Sequence, residues 1–234
     1  MIKLIAFDLD ATLAPSHKPT AQNDVKTVTE LEKSGVKIAI CSGKTTYYLC
    51  GFARQFGLKE PILIGENGMA VQFGVFLPPR EYYSLPVSDQ QKLYMQKIKE
   101  FIDGKFPDIW YQPNTYALTP FITKEEQFAV IDEFLAENPQ FESCLTVYRH
   151  PNCYDILPKG VTKKSGLELI CRKLGIKPLE VIAVGDGIND YSMFEFAGTS
   201  VGIKIADTQK VSANFDSLAD ALLFIKKKVN ENNA

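Results

Sequence analysis

A short apolar run near the amino terminus, residues 4–7, ends directly in two carboxylates, Asp8 and Asp10. The run predicts a buried strand, and residues two apart on an extended chain point to the same side. We therefore expect the two carboxylates to converge just beyond the carboxyl end of that strand. Like charges so close are unfavourable unless a cation or a proton relieves them. Taken alone, the motif also suits an ordinary acidic turn after a strand.

A second apolar run, residues 181–184, also ends in acids, within the segment Gly185-Asp186-Gly187-Ile188-Asn189-Asp190. Carboxylate oxygens are the ligands that Mg²⁺ prefers in proteins. By themselves, Asp186 and Asp190 are better explained by an acidic loop that caps the helix starting near Asp190. Combined with the first acidic pair, they favour a metal site.

Two further candidates lie between the acidic segments. Ser42 follows an apolar run at 36–41, and Lys163 ends the segment 158–163. In this order the four segments resemble the motifs of the haloacid dehalogenase (HAD) superfamily of phosphohydrolases. Its first motif is Asp-x-Asp-x-Thr and its last is Gly-Asp-Gly-x-Asn-Asp. The resemblance covers nearly the whole chain.

The amino-acid composition limits the classes of protein to which this chain can belong. The chain has 234 residues and is 45% hydrophobic, enough for one large domain or two modest ones. Its 26 basic and 28 acidic residues give a net charge of -2, so no basic field is available for nucleic acid. No stretch approaches the roughly 20 apolar residues that span a bilayer. The apolar start lacks a signal-peptide cleavage site and continues into the first acidic motif. We therefore expect a cytoplasmic protein without membrane or nucleic-acid partners.

The cysteines favour the same compartment. They are odd in number, widely spaced and mostly in apolar segments, at Cys41, Cys50, Cys144, Cys153 and Cys171. This pattern is typical of reduced core residues. A zinc site is disfavoured because no Cys-x-x-Cys pair exists and only His17 and His150 could add imidazole ligands.

The order of predicted elements indicates two domains. Strands and helices alternate in residues 1–80 and 159–234, which predicts a doubly wound parallel α/β sheet. Prolines mark the ends of an insertion at 81–158, where the order helix-strand-strand occurs twice. This αββαββ pattern predicts an antiparallel sheet with helices on one face, and it resembles the type IIB cap of the HAD superfamily. The whole is thus expected to be a Rossmann-like core with an inserted α+β cap.

Two local features are also predicted. Thr20 has the position and side chain of a helix N-cap for the helix that Gly35 ends. Residues 69–73 and 75–77 are expected to form a hairpin around Gly74.

The resemblance implies roles for the motif residues. Asp8 would attack phosphorus, and Asp10 would protonate the leaving group and then activate water. The family's Mg²⁺ ligands correspond to four aspartates of this chain, Asp8, Asp10, Asp186 and Asp190. Asp10 would bind the ion through its backbone carbonyl. Residues expected to bind the substrate are Ser42, Gly43, Asn67, Lys163 and Asn189. A helix cap remains the alternative for Ser42, a surface position for Lys163, and turn formation for Asn67 and Asn189.

The chain departs from the family pattern at three positions. Ala11 replaces a glycine, which endangers the site only if its φ is positive. Lys44 replaces an arginine, which keeps the charge and loses the bidentate fork. Lys164 replaces a glycine, and with Lys159 nearby it leaves open which lysine points inward. The alignment favours Lys163.

Three functions are compatible with the motifs. The first is a phosphatase for small phosphomonoesters, either sugar phosphates or phosphoglycolate-like compounds. A phosphomutase of the same superfamily is the second, and a phosphoaspartate signalling domain is the third. A phosphoaspartate signalling domain, of the receiver type, would need neither a second acid at Asp10 nor an insertion as long as residues 81–158. Cap residues that are candidates for setting specificity are Tyr116, Arg149, His150 and Asn152.

Overall fold

The computed structural model describes residues 1–16 and 18–231. The chain divides into two compact units, which we call unit 1 (residues 1–84 and from 162 onward) and unit 2 (residues 85–161). In the described part of the chain, no helix is both long and apolar enough to cross a membrane.

Twelve strands and seven α-helices occur in the described residues. The strands are β1 Leu4–Asp8, β2 Lys37–Cys41, β3 Ile62–Gly65, β4 Ala70–Phe73, β5 Glu81–Ser84, β6 Trp110–Tyr111, β7 Pro120–Phe121, β8 Leu145–Arg149, β9 Tyr154–Pro158, β10 Val181–Gly185, β11 Thr199–Ile203 and β12 Ala213–Phe215. The helices are α1 Gln22–Lys33, α2 Thr46–Phe56, α3 Asp89–Lys105, α4 Glu125–Glu137, α5 Lys163–Leu174, α6 Tyr191–Phe196 and α7 Leu218–Glu231.

Unit 1 is built on an eight-stranded sheet in the order β12-β11-β10-β1-β2-β3-β4-β5. The pairs from β12 to β3 are parallel, while β4 and β5 add to the edge in antiparallel direction. Strand β1 is buried throughout, and its alternate residues Ile5 and Phe7 pack into one apolar core with α1, α2 and α7. Leu4 and Ala6 pack into a second core with α5 and α6. Helices therefore cover both faces of the sheet, as the predicted doubly wound fold requires.

Unit 2 contains α3, β6, β7, α4, β8 and β9, in the predicted αββαββ order. Strands β6 and β7 form one antiparallel hairpin, and β8 and β9 form another. Two bridges join the hairpins, between Leu118 and Ile156 and between Phe121 and Cys153. Apolar side chains of α3 and α4 pack with Tyr154 and Ile156, so unit 2 has a core of its own.

The unit boundaries lie after Ser84 and after Val161, a few residues later than the predicted boundaries after residues 80 and 158. The difference at the first boundary arises because β5 (Glu81–Ser84) pairs with β4 and so belongs to the sheet of unit 1.

The predicted hairpin around Gly74 is wrong for the same reason. Strand β4 pairs with β3 on one side and β5 on the other, while residues 75–77 form no strand. The side chain of Gln72 donates to the carbonyls of Gly74 and Phe76, which folds that segment back.

Thr20 is not the N-cap of α1. Its hydroxyl donates to the Leu13 carbonyl at 2.6 Å, and the helix begins two residues later, with Ala21 as N-cap. Thr20 therefore closes the loop that follows β1.

Candidate active site

The first acidic motif separates into two environments. Asp8 is the last residue of β1 and is 6% exposed, whereas the side chain of Asp10 is 59% exposed and pairs with Lys44. A turn follows Asp8, and Ala11 has a φ of 59°. The alternation of an extended strand stops at Asp8, so the expectation that both side chains point to the same place is wrong. The positive φ at Ala11 is the condition under which alanine there is strained.

The last acidic motif forms a closed loop after β10. Asp190 is fully buried, and its Oδ2 accepts bonds at 2.9 Å from the backbone N–H groups of Asp186 and Gly187. Gly185 is required here, since a Cβ at that position would lie 2.3 Å from Asp190 Oδ2. The hydroxyl of Thr12 donates to Asp186 Oδ1 at 3.0 Å and so ties the first acidic motif to the last.

Carboxylate oxygens of Asp8, Asp186 and Asp190 lie within 4.8 Å of one another. We call these three residues the carboxylate cluster. The neighbouring parallel strands β1 and β10 bring them together, because both strands end at the same edge of the sheet. The Asp10 carboxylate is outside this cluster.

Lys163 is the cation of the carboxylate cluster. It is the first residue of α5 and is 1% exposed, with its Nζ 2.5 Å from both Asp8 Oδ1 and Asp190 Oδ1. Lys159 instead donates to the Glu142 carbonyl, and Lys164 pairs with Glu168 on the surface of α5. Of the three lysines considered from the sequence, Lys163 is the one brought to the aspartates.

The charges of the cluster do not balance. Three carboxylates face one ammonium, and burial raises the pKa of Asp8 well above its usual range, although Lys163 opposes the shift. Burial and the neighbouring Asp190 also raise the pKa of Asp186. Burial disfavours the charged form of Lys163, but Asp190 and Asp8 outweigh it and raise its pKa, so the lysine stays protonated. An excess of negative charge on hard oxygen ligands fits a divalent cation such as Mg²⁺.

Ser42 and Gly43 follow β2, next to the end of β1. Cys41 is the register partner of Asp8, so the next residue, Ser42, lies at the same edge of the sheet. Ser42 is buried, and its Oγ accepts a bond from the Lys44 N–H at 3.2 Å. This places the half-buried backbone turn of Gly43 and Lys44 beside the first acidic motif.

The segment Gly65-Glu66-Asn67-Gly68, which we call the GENG loop, is hydrogen-bonded to the turn of Gly43 and Lys44. Its Asn67 N–H donates to the Ser42 carbonyl and its Glu66 N–H to the Lys44 carbonyl, both at 2.9 Å. Glu66, Asn67 and Gly68 all have positive φ. A Cβ on Gly68 would lie 2.0 Å from the Thr162 carbonyl, so the loop also packs directly against the start of α5.

Asn67 is thus buried in a loop that joins the Ser42 turn to the residue before Lys163. Asn189 is half-buried and lies in the short turn before Asp190, where its backbone carbonyl accepts a bond from Ser192. In the described residues no hydrogen bond joins the Asn189 side chain to the carboxylate cluster.

Two residues of this arrangement were missed from the sequence. Thr12 was visible as the threonine of the Asp-x-Asp-x-Thr motif, but its partner Asp186 is 174 residues away. Glu66 directly precedes Asn67, which was predicted to bind the substrate, but nothing in the local sequence indicates that the Glu66 backbone bonds to Lys44.

The candidates in unit 2 have different surroundings. Arg149 pairs with Glu125 and Asp132 on α4 and lies over the Phe128 ring, so it stabilises unit 2. His150 Nε2 lies 3.3 Å from Asp155 Oδ2. The backbone carbonyl of Asn152 accepts a bond from Ile122. Tyr116 is half-buried.

The zinc alternative is not supported by the described part of the chain. There, Cys and His side chains form no group of three potential ligands, and the five cysteines are free. His17 lies outside the described residues.

Comparison with known proteins identifies the family. The sequence model of the haloacid dehalogenase-like hydrolases matches residues 5–76 and 80–216. The chain belongs to this family of hydrolases. The hydrolase is 28% identical over 224 residues to a phosphoglycolate phosphatase of Methanopyrus kandleri, with 94% of this chain and 92% of the relative covered.

Solved structures have the same fold as this hydrolase. A haloacid dehalogenase-like hydrolase from Bacteroides thetaiotaomicron superposes with a TM-score of 0.77 at 20% identity, covering 96% of this chain and 100% of the other. A subclass IIB sugar phosphatase of the HAD superfamily gives a TM-score of 0.72 at 21% identity, covering 96% and 99%. The predicted family and fold class are confirmed.

Proposed function

We propose that the protein is a Mg²⁺-dependent phosphatase that hydrolyses small phosphomonoesters through an aspartyl phosphate on Asp8. The observation that carries the proposal is the contact of Lys163 with Asp8 inside the carboxylate cluster. A buried carboxylate held beside an ammonium, at the carboxyl end of a central strand of a doubly wound sheet, is suited to attack a phosphoryl group whose charge the ammonium neutralises. The phosphoglycolate phosphatase relative supports the same class of reaction.

The first step transfers the phosphoryl group to Asp8. A carboxylate oxygen of Asp8 forms a bond to phosphorus while the bond between phosphorus and the ester oxygen breaks. The ester oxygen keeps the bonding electron pair and takes a proton from the Asp10 carboxyl, so it leaves as an alcohol. Lys163 stabilises charge on the transferring group, and the Ser42 turn supplies hydrogen bonds to it.

The second step releases phosphate. Asp10, now a carboxylate, takes a proton from water as the water oxygen bonds to phosphorus. The bond between phosphorus and Asp8 breaks, inorganic phosphate departs, and the Asp8 carboxylate is restored. One acid-base residue therefore serves both steps, in opposite directions.

Asp8, Asp186 and Asp190 would hold the metal, with Asp10 contributing its backbone carbonyl. When bound, Mg²⁺ would neutralise phosphoryl oxygens and fix their orientation. Thr12 would keep Asp186 aimed at the ion, since its hydroxyl already donates to that carboxylate.

We further propose that unit 2 is the cap and helps to select the leaving group. His150 is the residue we expect to change substrate preference, because its Nε2 makes no hydrogen bond within the described residues. Arg149 is its matched control, since both of its ion pairs hold it against α4. His150→Ala should alter the ranking of substrates by kcat/KM. Arg149→Ala should lower the stability of the protein and leave that ranking unchanged. An unchanged ranking in both variants would remove this role from His150.

The experiment for the main proposal is phosphate release over a panel of small phosphomonoesters that includes phosphoglycolate and hexose phosphates. We expect release that requires Mg²⁺, stops in excess chelator, and is abolished in a folded Asp8→Asn variant. Full activity in chelator, or near-normal rates in that variant, would contradict the proposal.

A further inference from the structure

Two exposed tyrosines lie in the first turn of α2, close to the first acidic motif. The exposed fractions of Tyr47 and Tyr48 are 56% and 55%. The Tyr48 ring centroid lies 5.4 Å from Lys44 Nζ, and the same Nζ contacts the Asp10 carboxylate. The Tyr48 ring is therefore separated from the proposed acid-base residue by a single ammonium group.

The start of α2 fixes the backbone of Tyr48. Thr45 is the N-cap of this helix, and its hydroxyl oxygen accepts a bond from the Tyr48 N–H at 3.4 Å. Neighbouring residues of a helix point about 100° apart, so Tyr47 does not share the direction of Tyr48. A tyrosine with a fixed backbone and an exposed ring offers a ligand both an apolar face and a polar hydroxyl.

The place of Tyr48 along the substrate follows from the positions of Asp8 and Asp10, so this inference rests on the proposed function. In an in-line displacement the leaving group points away from the nucleophile. Asp8 is buried, whereas the side chains of Asp10 and Tyr48 are more than half exposed. The leaving group therefore extends from the buried end of the site past Asp10, toward the side on which Tyr48 lies.

Distance decides which leaving group the ring can contact. The ring centroid lies 5.4 Å beyond the ammonium that touches Asp10. An alcohol of two carbons ends close to Asp10, whereas an alcohol that contains a ring extends to the Tyr48 side chain. The carbon–hydrogen face of a sugar ring can pack on the exposed phenol ring, and the phenol hydroxyl can pair with a sugar hydroxyl.

We infer that Tyr48 is a specificity residue, and that it favours phosphomonoesters whose alcohol contains a ring over those with a short chain. Of the two substrate classes that the motifs leave open, this selects sugar phosphates over phosphoglycolate-like compounds. The preference for size would thus reside in unit 1, independently of the charge of the alcohol.

The test compares two substrates with neutral, hydroxylated alcohols, glucose 6-phosphate with a ring and hydroxyethyl phosphate with a two-carbon chain. We expect kcat/KM to favour glucose 6-phosphate by about tenfold, the size of one aromatic contact. Tyr48→Ala should remove most of that ratio by lowering kcat/KM for glucose 6-phosphate alone. Tyr48→Phe keeps the ring and should retain most of the ratio. Tyr47→Ala is the matched control, because it removes a neighbouring tyrosine of similar exposure and should leave the ratio unchanged.

Equal kcat/KM for both substrates in the original protein would overturn the inference. Equal losses on both in Tyr48→Ala would also overturn it, since Tyr48 would then only support Lys44, and so would a Tyr48→Phe variant that loses as much of the ratio as Tyr48→Ala. Acetyl phosphate separates this failure from a failure of the proposed function, because its leaving group has no ring. Mg²⁺-dependent release from acetyl phosphate without a ring preference would overturn only the role of Tyr48. No release from any of the three substrates would refute both.

Discussion

Lys163 Nζ lies 2.5 Å from Asp8 Oδ1, although the two residues are 155 positions apart in the sequence. The pair is buried and shares its ammonium with Asp190. It links the start of α5 to the end of β1, so the same contact stabilises the fold and prepares the proposed nucleophile.

Replacing Lys163 by methionine tests both roles. Removing one partner of a buried ion pair leaves the other charge uncompensated, which costs about 3–5 kcal/mol of unfolding free energy. Loss of transition-state charge stabilisation should lower kcat by about a hundredfold or more. Denaturant unfolding and steady-state kinetics measure the two effects. Lys164→Met should change neither, and a Lys163→Met variant with normal kcat would contradict the assignment.

The raised pKa values of Asp8 and Asp186 predict how stability without metal depends on pH. Both groups hold a proton more tightly in the folded protein than at their ordinary value of 3.8. The folded state then binds more protons than the unfolded state in this window, so stability falls as pH rises from about 4 through the raised values. Burial is the main cause of the raised pKa values, with repulsion from neighbouring carboxylates added to it, and a bound cation offsets both by stabilising the charged carboxylates.

The stabilisation by Mg²⁺ should therefore be larger at pH 8 than at pH 5. Thermal unfolding with and without Mg²⁺ at both values measures it, and Asp186→Asn should reduce the increase in Tm. An equal increase in Tm at the two values would show that these carboxylates do not carry the effect.

The parallel α/β sheet of unit 1 could be predicted because short sequence patterns specify its strands. Apolar runs that end in polar residues gave the parallel strands, and the order of the motifs gave their common edge. Asp8 and Ser42 could be placed at that edge because each follows an apolar run, whereas Lys163 was selected by its match to the family motif. The order αββαββ of unit 2 was readable for the same reason.

Other features depended on contacts between distant segments. The divergence of Asp10 from Asp8 arises because the strand ends at Asp8 and a turn begins at Leu9, which the apolar run does not indicate. The ion pair of Asp10 with Lys44 joins segments 34 residues apart. Strand β5 was missed because its partner β4 was assigned to a local hairpin, and antiparallel pairing across a longer connection leaves no short-range signal.

Gly68→Ala probes whether the GENG loop positions Lys163. The φ of Gly68 is 102°, and the new Cβ would lie 2.0 Å from the Thr162 carbonyl, so the start of α5 must move. We expect a loss of roughly 1–3 kcal/mol in stability and a lower kcat. Gly51→Ala is the control, since α2 leaves space there and alanine should stabilise by about 0.5–1 kcal/mol. The measurements are the unfolding midpoint and kcat of each variant. A fully active, stable Gly68→Ala variant would contradict the proposal that the loop positions Lys163.

Ala11→Gly should stabilise the protein. Alanine at a φ of 59° is strained, and glycine removes roughly 1–2 kcal/mol of that strain while adding entropy to the unfolded chain. We expect a net gain of up to about 1 kcal/mol with kcat retained, measured by denaturant unfolding. Ala221→Gly in α7, where the backbone is helical, should instead lose about 1 kcal/mol or more. A destabilised Ala11→Gly variant would show that the strain at Ala11 is compensated elsewhere.

The most direct test of the central claim is rapid-quench analysis of an Asp10→Asn variant mixed with p-nitrophenyl phosphate and Mg²⁺. An aryl leaving group departs without a proton, so the first step should proceed, while the second should stall because no base activates water. We predict a burst of p-nitrophenolate equal to the enzyme concentration, with the phosphoryl group on the peptide that contains Asp8 by mass spectrometry. The absence of a burst, or a phosphoryl group on another residue, would contradict the mechanism.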